Sequence, residues 1–117
     1  MSITLYGIPN CDQVRKARAW LNDHGVDFDF HDFRKDGISR SLLEGWLIHV
    51  PWEVLLNRKG TTWRNLTDGQ KAAVTDRNSA IDLMLEQPSA IKRPVLSVGP
   101  ATYSGFSEPL YQQIFKK

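Results

Sequence analysis

The period of the apolar positions changes several times along the chain, and each change marks an element. Ile3-Thr4-Leu5-Tyr6 reads as a short buried strand, which Gly7, Pro9 and Asn10 break with a turn. Val14, Ala17 and Leu21 then recur at helical spacing with Trp20 beside them, and Gly25 stands where a helix ends. Val26 to Phe33 alternates apolar and polar residues, as a half-buried strand does, and Arg34-Lys35-Asp36-Gly37 closes it as a turn. A strand, a helix and a second strand so closely spaced make a right-handed unit with parallel strands.

From Ile38 to Ser89 the spacing is helical, with almost no strand character. Ser39 or Ser41 caps a helix carrying Leu42, Leu43, Trp46 and Leu47. Pro51 interrupts it, and Trp52 to Leu56 forms a short helical piece. Asn57-Arg58-Lys59-Gly60 is a turn, and Thr67 caps the stretch from Asp68 to Val74. Asn78 or Ser79 caps a helix with Ile81, Leu83, Met84 and Leu85, ended by Pro88. Trp46, Trp52 and Trp63 are expected in the core. Ile91-Lys92-Arg93-Pro94 leads into Val95-Leu96-Ser97-Val98, and Gly99-Pro100 turns into Ala101-Thr102-Tyr103-Ser104, an antiparallel hairpin. Ser107-Glu108-Pro109 opens a last helix with Leu110, Tyr111, Ile114 and Phe115 on one stripe, and Lys116-Lys117 suit its C-terminal end.

Composition narrows the function classes. The 117 residues suit one domain able to bury a core without disulfide or metal. A net charge of +2 gives no dedicated nucleic-acid surface. No apolar run approaches the length of a membrane span, and Met1-Ser2 passes straight into a strand without a signal segment. With a single cysteine no internal disulfide forms, so a cytoplasmic protein is expected. His24, His31 and His49 lack ligand spacing, so no metal site and no bound cofactor are expected. Asp27, Asp29 and Asp32 read as solvated strand residues. Gly7 and Gly60 do not make a phosphate loop.

That single cysteine, Cys11, is the candidate for chemistry. It falls between the first strand and the first helix, in the first helical turn, where unpaired amides and the positive end of the helix dipole converge. Arg15 and Lys16 add positive charge about one turn on, while Asp12 opposes it. Such surroundings lower a cysteine pKa, and the thiolate is the reactive form. A lone cysteine can equally be a buried, inert one. Position alone leaves both open.

The order β-α-β, helical segment, β-β-α, with a cysteine after the first strand and Arg-Pro before the third, is a thioredoxin-like pattern. It gives an α/β fold, a four-stranded mixed sheet, and a helical insert at about 38–89 within one domain. The chain resembles the ArsC/Spx family, and within it the ArsC-like reductases of the YffB type. The residues that carry the resemblance are Tyr6-Gly7-Ile8-Pro9-Asn10-Cys11, Arg15 to Leu21, Leu55-Leu56-Asn57, Gly60 to Arg64, Ile91 to Pro94 and Gly105-Phe106-Ser107.

The resemblance implies that Cys11 is the nucleophile and that Arg93, before a cis Pro94, serves catalysis. It implies that Asn10, Arg15, Pro94, Asn57 and Arg58 line the substrate site. Arsenate-reducing relatives carry a histidine where Gly7 stands and further arginines where Asn57 and Phe106 stand; Arg58 or Arg64 could replace the first of these. Losing guanidinium forks removes bidentate donors for a compact oxyanion, which argues against arsenate as the substrate. Spx-type regulators share the run Arg15 to Leu21 but switch through a Cys-x-x-Cys pair, and here the second position is Val14. An oxidised Cys11 must therefore be recovered by an external thiol, with glutathione the expected co-substrate. The expected activity is that of a glutathione-dependent monothiol reductase acting as a monomer on a small thiol or oxyanion substrate. The alternatives are an Spx-like non-catalytic regulator that binds a protein partner, and a true arsenate reductase.

Overall fold

In the computed structural model, which describes residues 2–116, four strands form one mixed sheet in the order β2-β1-β3-β4. These are β1 (Ile3–Gly7), β2 (Asp29–Asp32), β3 (Val95–Val98) and β4 (Ala101–Ser104). β1 pairs parallel with β2 and antiparallel with β3, and β3 pairs antiparallel with β4. This is the thioredoxin-like α/β arrangement expected from the order of elements. The expected basic end of the last helix includes Lys117, which lies outside the described residues.

Helix α1 (Asp12–Asp23) buries Val14, Ala17, Trp20 and Leu21, the stripe that its spacing predicts. Helix α8 (Glu108–Phe115) buries Tyr111 and begins at Ser107, whose hydroxyl accepts the Leu110 N–H at 3.2 Å. Leu5 of β1, Leu96 of β3, Trp20 and Leu21 of α1, and Tyr111 share one core with the half-buried Phe106. The Trp20 and Phe106 rings both meet Tyr111 edge-on, at 5.6 and 4.7 Å between centroids.

The packing divides the chain into two compact units. One runs up to Gly37 and resumes at Arg93; the other is Ile38–Lys92. The second contains α3 (Arg40–Trp46), α4 (Trp52–Leu55), α5 (Thr61–Arg64), α6 (Asp68–Ala72) and α7 (Arg77–Glu86), and contributes no strand to the sheet. Its one extended pairing among the described residues is a bridge between Leu56 and Ile91. Arg40 pairs with Asp82, and Arg77 lies 4.0 Å from Glu44.

Several local expectations need correction. The second strand, expected from Val26 to Phe33, begins only at Asp29 and stops at Asp32, which caps a helical turn, α2 (Phe33–Asp36), by accepting the Arg34 N–H at 2.9 Å. Asp76, rather than Asn78 or Ser79, caps α7, with Ser79 reciprocating from inside the first turn. Ser39 and Thr67 do cap α3 and α6. Trp46 is buried, whereas Trp52 and Trp63 are only half-buried.

Candidate functional site

The site begins with a strand that cannot continue. β1 ends at Gly7, and the turn through Pro9 and Asn10 closes when the Cys11 N–H donates to the Ile8 carbonyl at 3.2 Å. Cys11 has extended backbone angles, φ −92° and ψ 130°, and its carbonyl accepts the first helical bond from the Arg15 N–H at 2.9 Å. It is therefore the residue that caps α1, one position earlier than the sequence predicted. In its thiolate form the sulfur is the acceptor that the Gln13 and Val14 amides face. A thiolate there takes the place that a serine or aspartate oxygen takes at other helix starts.

Antiparallel pairing supplies the cation. Tyr6, near the end of β1, lies opposite Val95, the first residue of β3. The turn leaving β1 and the segment entering β3 thus share one end of the sheet, and that puts Arg93 beside Cys11. The Arg93–Pro94 bond is cis, and the buried Pro94 accepts the Gly105 N–H at 2.8 Å through its carbonyl.

The half-buried Cys11 thiol is pushed up by burial, yet its pKa lies below the ordinary value. The Val14 N–H, a hydrogen bond from the Arg93 guanidinium, the Gln13 N–H and the Arg93 charge outweigh the desolvation. The expected helpers, Arg15 and Lys16, are not what lowers it. Arg15 instead pairs with Asp12 at 3.1 Å, both well exposed, so that the two charges compensate each other at the surface. The Val14 and Gln13 amides are the unpaired amides expected at the start of the helix; which two of them reach the sulfur depends on the backbone of the turn.

Asn10 is exposed in the turn before Cys11. Asn57 and Arg58 belong to the second unit. There the Asn57 side-chain carbonyl accepts the Lys59 N–H at 3.3 Å, and the Arg58 guanidinium lies 5.1 Å from the centre of the Trp52 ring. Gly7 is fixed by packing: a Cβ placed on it would lie 2.6 Å from Val14 Cγ2. With Val14 fully buried and β-branched, no side chain fits at that position without rearrangement.

A four-stranded sheet in this order, with a cysteine capping the helix after its first strand and a cis-proline before its third, places the chain among thioredoxin-like proteins. The ArsC family model matches residues 6–114, and the chain belongs to that family. A solved structure of a protein named YffB is 48% identical with a TM-score of 0.91, over 96% of this chain and 97% of that one. An arsenate reductase (ArsC) related protein from Brucella melitensis is 49% identical with a TM-score of 0.78, over 100% of this chain and 97% of that one. The global transcriptional regulator Spx of Streptococcus pyogenes is 31% identical over 109 residues, covering 91% of this chain and 79% of the regulator. No helix among the described residues is long and apolar enough to cross a membrane.

Proposed function

We propose that this ArsC-family protein is a glutathione-linked monothiol reductase with Cys11 as its nucleophile, working as a monomer in the cytoplasm. One observation carries the proposal. The chain has one cysteine, and its thiolate is favoured by two amides and Arg93 although burial opposes it. A thiolate with no partner thiol in its own chain exchanges with thiols and disulfides from outside.

The chemistry balances with glutathione alone. The Cys11 thiolate attacks the glutathione sulfur of a glutathionylated thiol, and that S–S bond breaks. The substrate leaves as a thiolate and takes a proton from water. A glutathione thiolate then attacks the glutathione sulfur now held on Cys11, forming glutathione disulfide and freeing the Cys11 thiolate. Arg93 serves both anions in turn, first the Cys11 thiolate and then a glutathione carboxylate beside the new disulfide.

Mass spectrometry after incubation with glutathione disulfide tests the proposal. The wild type is expected to gain one glutathione and Cys11→Ser none. Arg93→Ala is expected to form the adduct about tenfold to a hundredfold more slowly, the value of a charge-assisted hydrogen bond. A wild type that forms no adduct would overturn the assignment.

A second reading has its own support in the Spx relative and in Ile48 and Val54, which leave 77% and 46% of their surface exposed on the second unit. In that reading the protein binds a partner without chemistry. Partner binding would persist in Cys11→Ser, and the wild type would form no glutathione adduct.

A further inference from the structure

An open cleft of about 680 Å³ lies between α1 and the start of α8, within the size range of small-molecule sites. Gln13, Lys16 and Trp20 line it from α1, and Phe106, Glu108 and Gln112 from the other side. Residues 13, 16 and 20 follow the three- and four-residue spacing of one helix face, so the cleft begins within a turn of Cys11. The Lys16 backbone stands about 7.5 Å along the helix axis from Cys11, at 1.5 Å per residue. An extended tripeptide spans roughly 10 Å, enough to reach from the sulfur into the cleft.

The charges in the cleft are of both signs and are not spent on each other. Lys16 from the middle of α1, Asp23 from its end and Glu108 from α8 make no ion pair with one another among the described residues, and Glu108 is the acid at the mouth of α8. An α-amino-acid group offers an ammonium and a carboxylate on one carbon, one for each sign. The wall behind these charges is held in place: Phe106 and the nearly buried Trp20 both contact Tyr111, and His24 stacks on the Trp20 ring at 3.9 Å.

We propose that this cleft binds the γ-glutamyl zwitterion of the glutathione that exchanges at Cys11, Lys16 taking its carboxylate and Glu108 its ammonium. The proposal rests on the glutathione-linked reading of the function. The cleft would make the protein selective for disulfides that carry such a zwitterion over neutral ones of similar reactivity.

The test compares rates of adduct formation at Cys11 with glutathione disulfide and with the neutral bis(2-hydroxyethyl) disulfide. Any change in thiolate reactivity affects both, so their ratio isolates the cleft. The ratio is expected to favour glutathione disulfide in the wild type and to fall about fivefold in Lys16→Glu and in Glu108→Gln, as for an exposed charge pair. The double variant Lys16→Glu with Glu108→Lys, which exchanges the two charges, is expected to recover most of the loss. Ratios unchanged by either single variant would overturn the cleft proposal and leave the reductase reading standing. A wild type that forms no adduct with either disulfide would overturn both.

Discussion

Gly7 and Val14 stand seven residues apart and are a single packing decision. The glycine lets the end of β1 approach α1 so closely that a Cβ would lie 2.6 Å from a Val14 methyl. Gly7→Ala is expected to cost about 1–3 kcal/mol in denaturant unfolding, the usual cost of overpacking. Adding Val14→Ala removes the clashing methyl, so the double variant should be less destabilised than the sum of the singles. Strict additivity would contradict this. Cys11 links the same turn to pH. Its folded pKa is depressed, so its contribution to stability is fully present above the unfolded thiol value of about 8.5 and is lost as pH falls through the folded pKa. The stability difference between wild type and Cys11→Ser should therefore widen in favour of wild type as pH rises through that window. Denaturation midpoints measured across it check the sign, and a constant difference would refute it.

At the level of elements, capping residues decided what could be read. Thr67 was legible as a hydroxyl residue ahead of a helical stretch, whereas Ser39 and Ser41 were both competent and only the Leu42 N–H donating to Ser39 selects between them. The α7 cap was not, because Asp76, Asn78 and Ser79 are all competent and only the reciprocal Asp76–Ser79 hydrogen bonds select between them. The β2 expectation overran because alternation continues through Asp32-Phe33, while the Asp32 side chain turns the backbone into a helix. Helix α8 carries a different tension. Tyr111 is fully buried, its hydroxyl has no hydrogen-bond partner among the described residues, and burial pushes its pKa up. Tyr111→Phe keeps the ring contacts and removes the unsatisfied group. It is expected to stabilise the protein by about 1 kcal/mol, raising the thermal midpoint by about 4 °C. A lower midpoint would show that the hydroxyl is satisfied in solution.

For the whole molecule, the sheet was legible because its strands are short apolar runs separated by turn residues. The helical segment was legible because its spacing never settles into alternation; its last extended pairing, Leu56 with Ile91, moves the end of the unit from the expected Ser89 to Lys92. Cys11 and Arg93 stand out in the sequence as a lone cysteine and an Arg-Pro pair. That they meet depends on the antiparallel register of Tyr6 and Val95, which no local pattern shows. The cleft along α1 was still less legible, since Gln13, Lys16 and Glu108 are ordinary surface residues until two helices bring them together.

Arg93 and the first amides of α1 lower the Cys11 pKa, and the reductase reading depends on it. The measurement that tests it most directly is the rate of Cys11 alkylation by iodoacetamide as a function of pH, in wild type and Arg93→Ala. The wild-type midpoint is expected below the ordinary value of about 8.5, and the Arg93→Ala midpoint above that of the wild type. A wild-type midpoint at or above about 8.5, or one that Arg93→Ala leaves in place, would contradict the account.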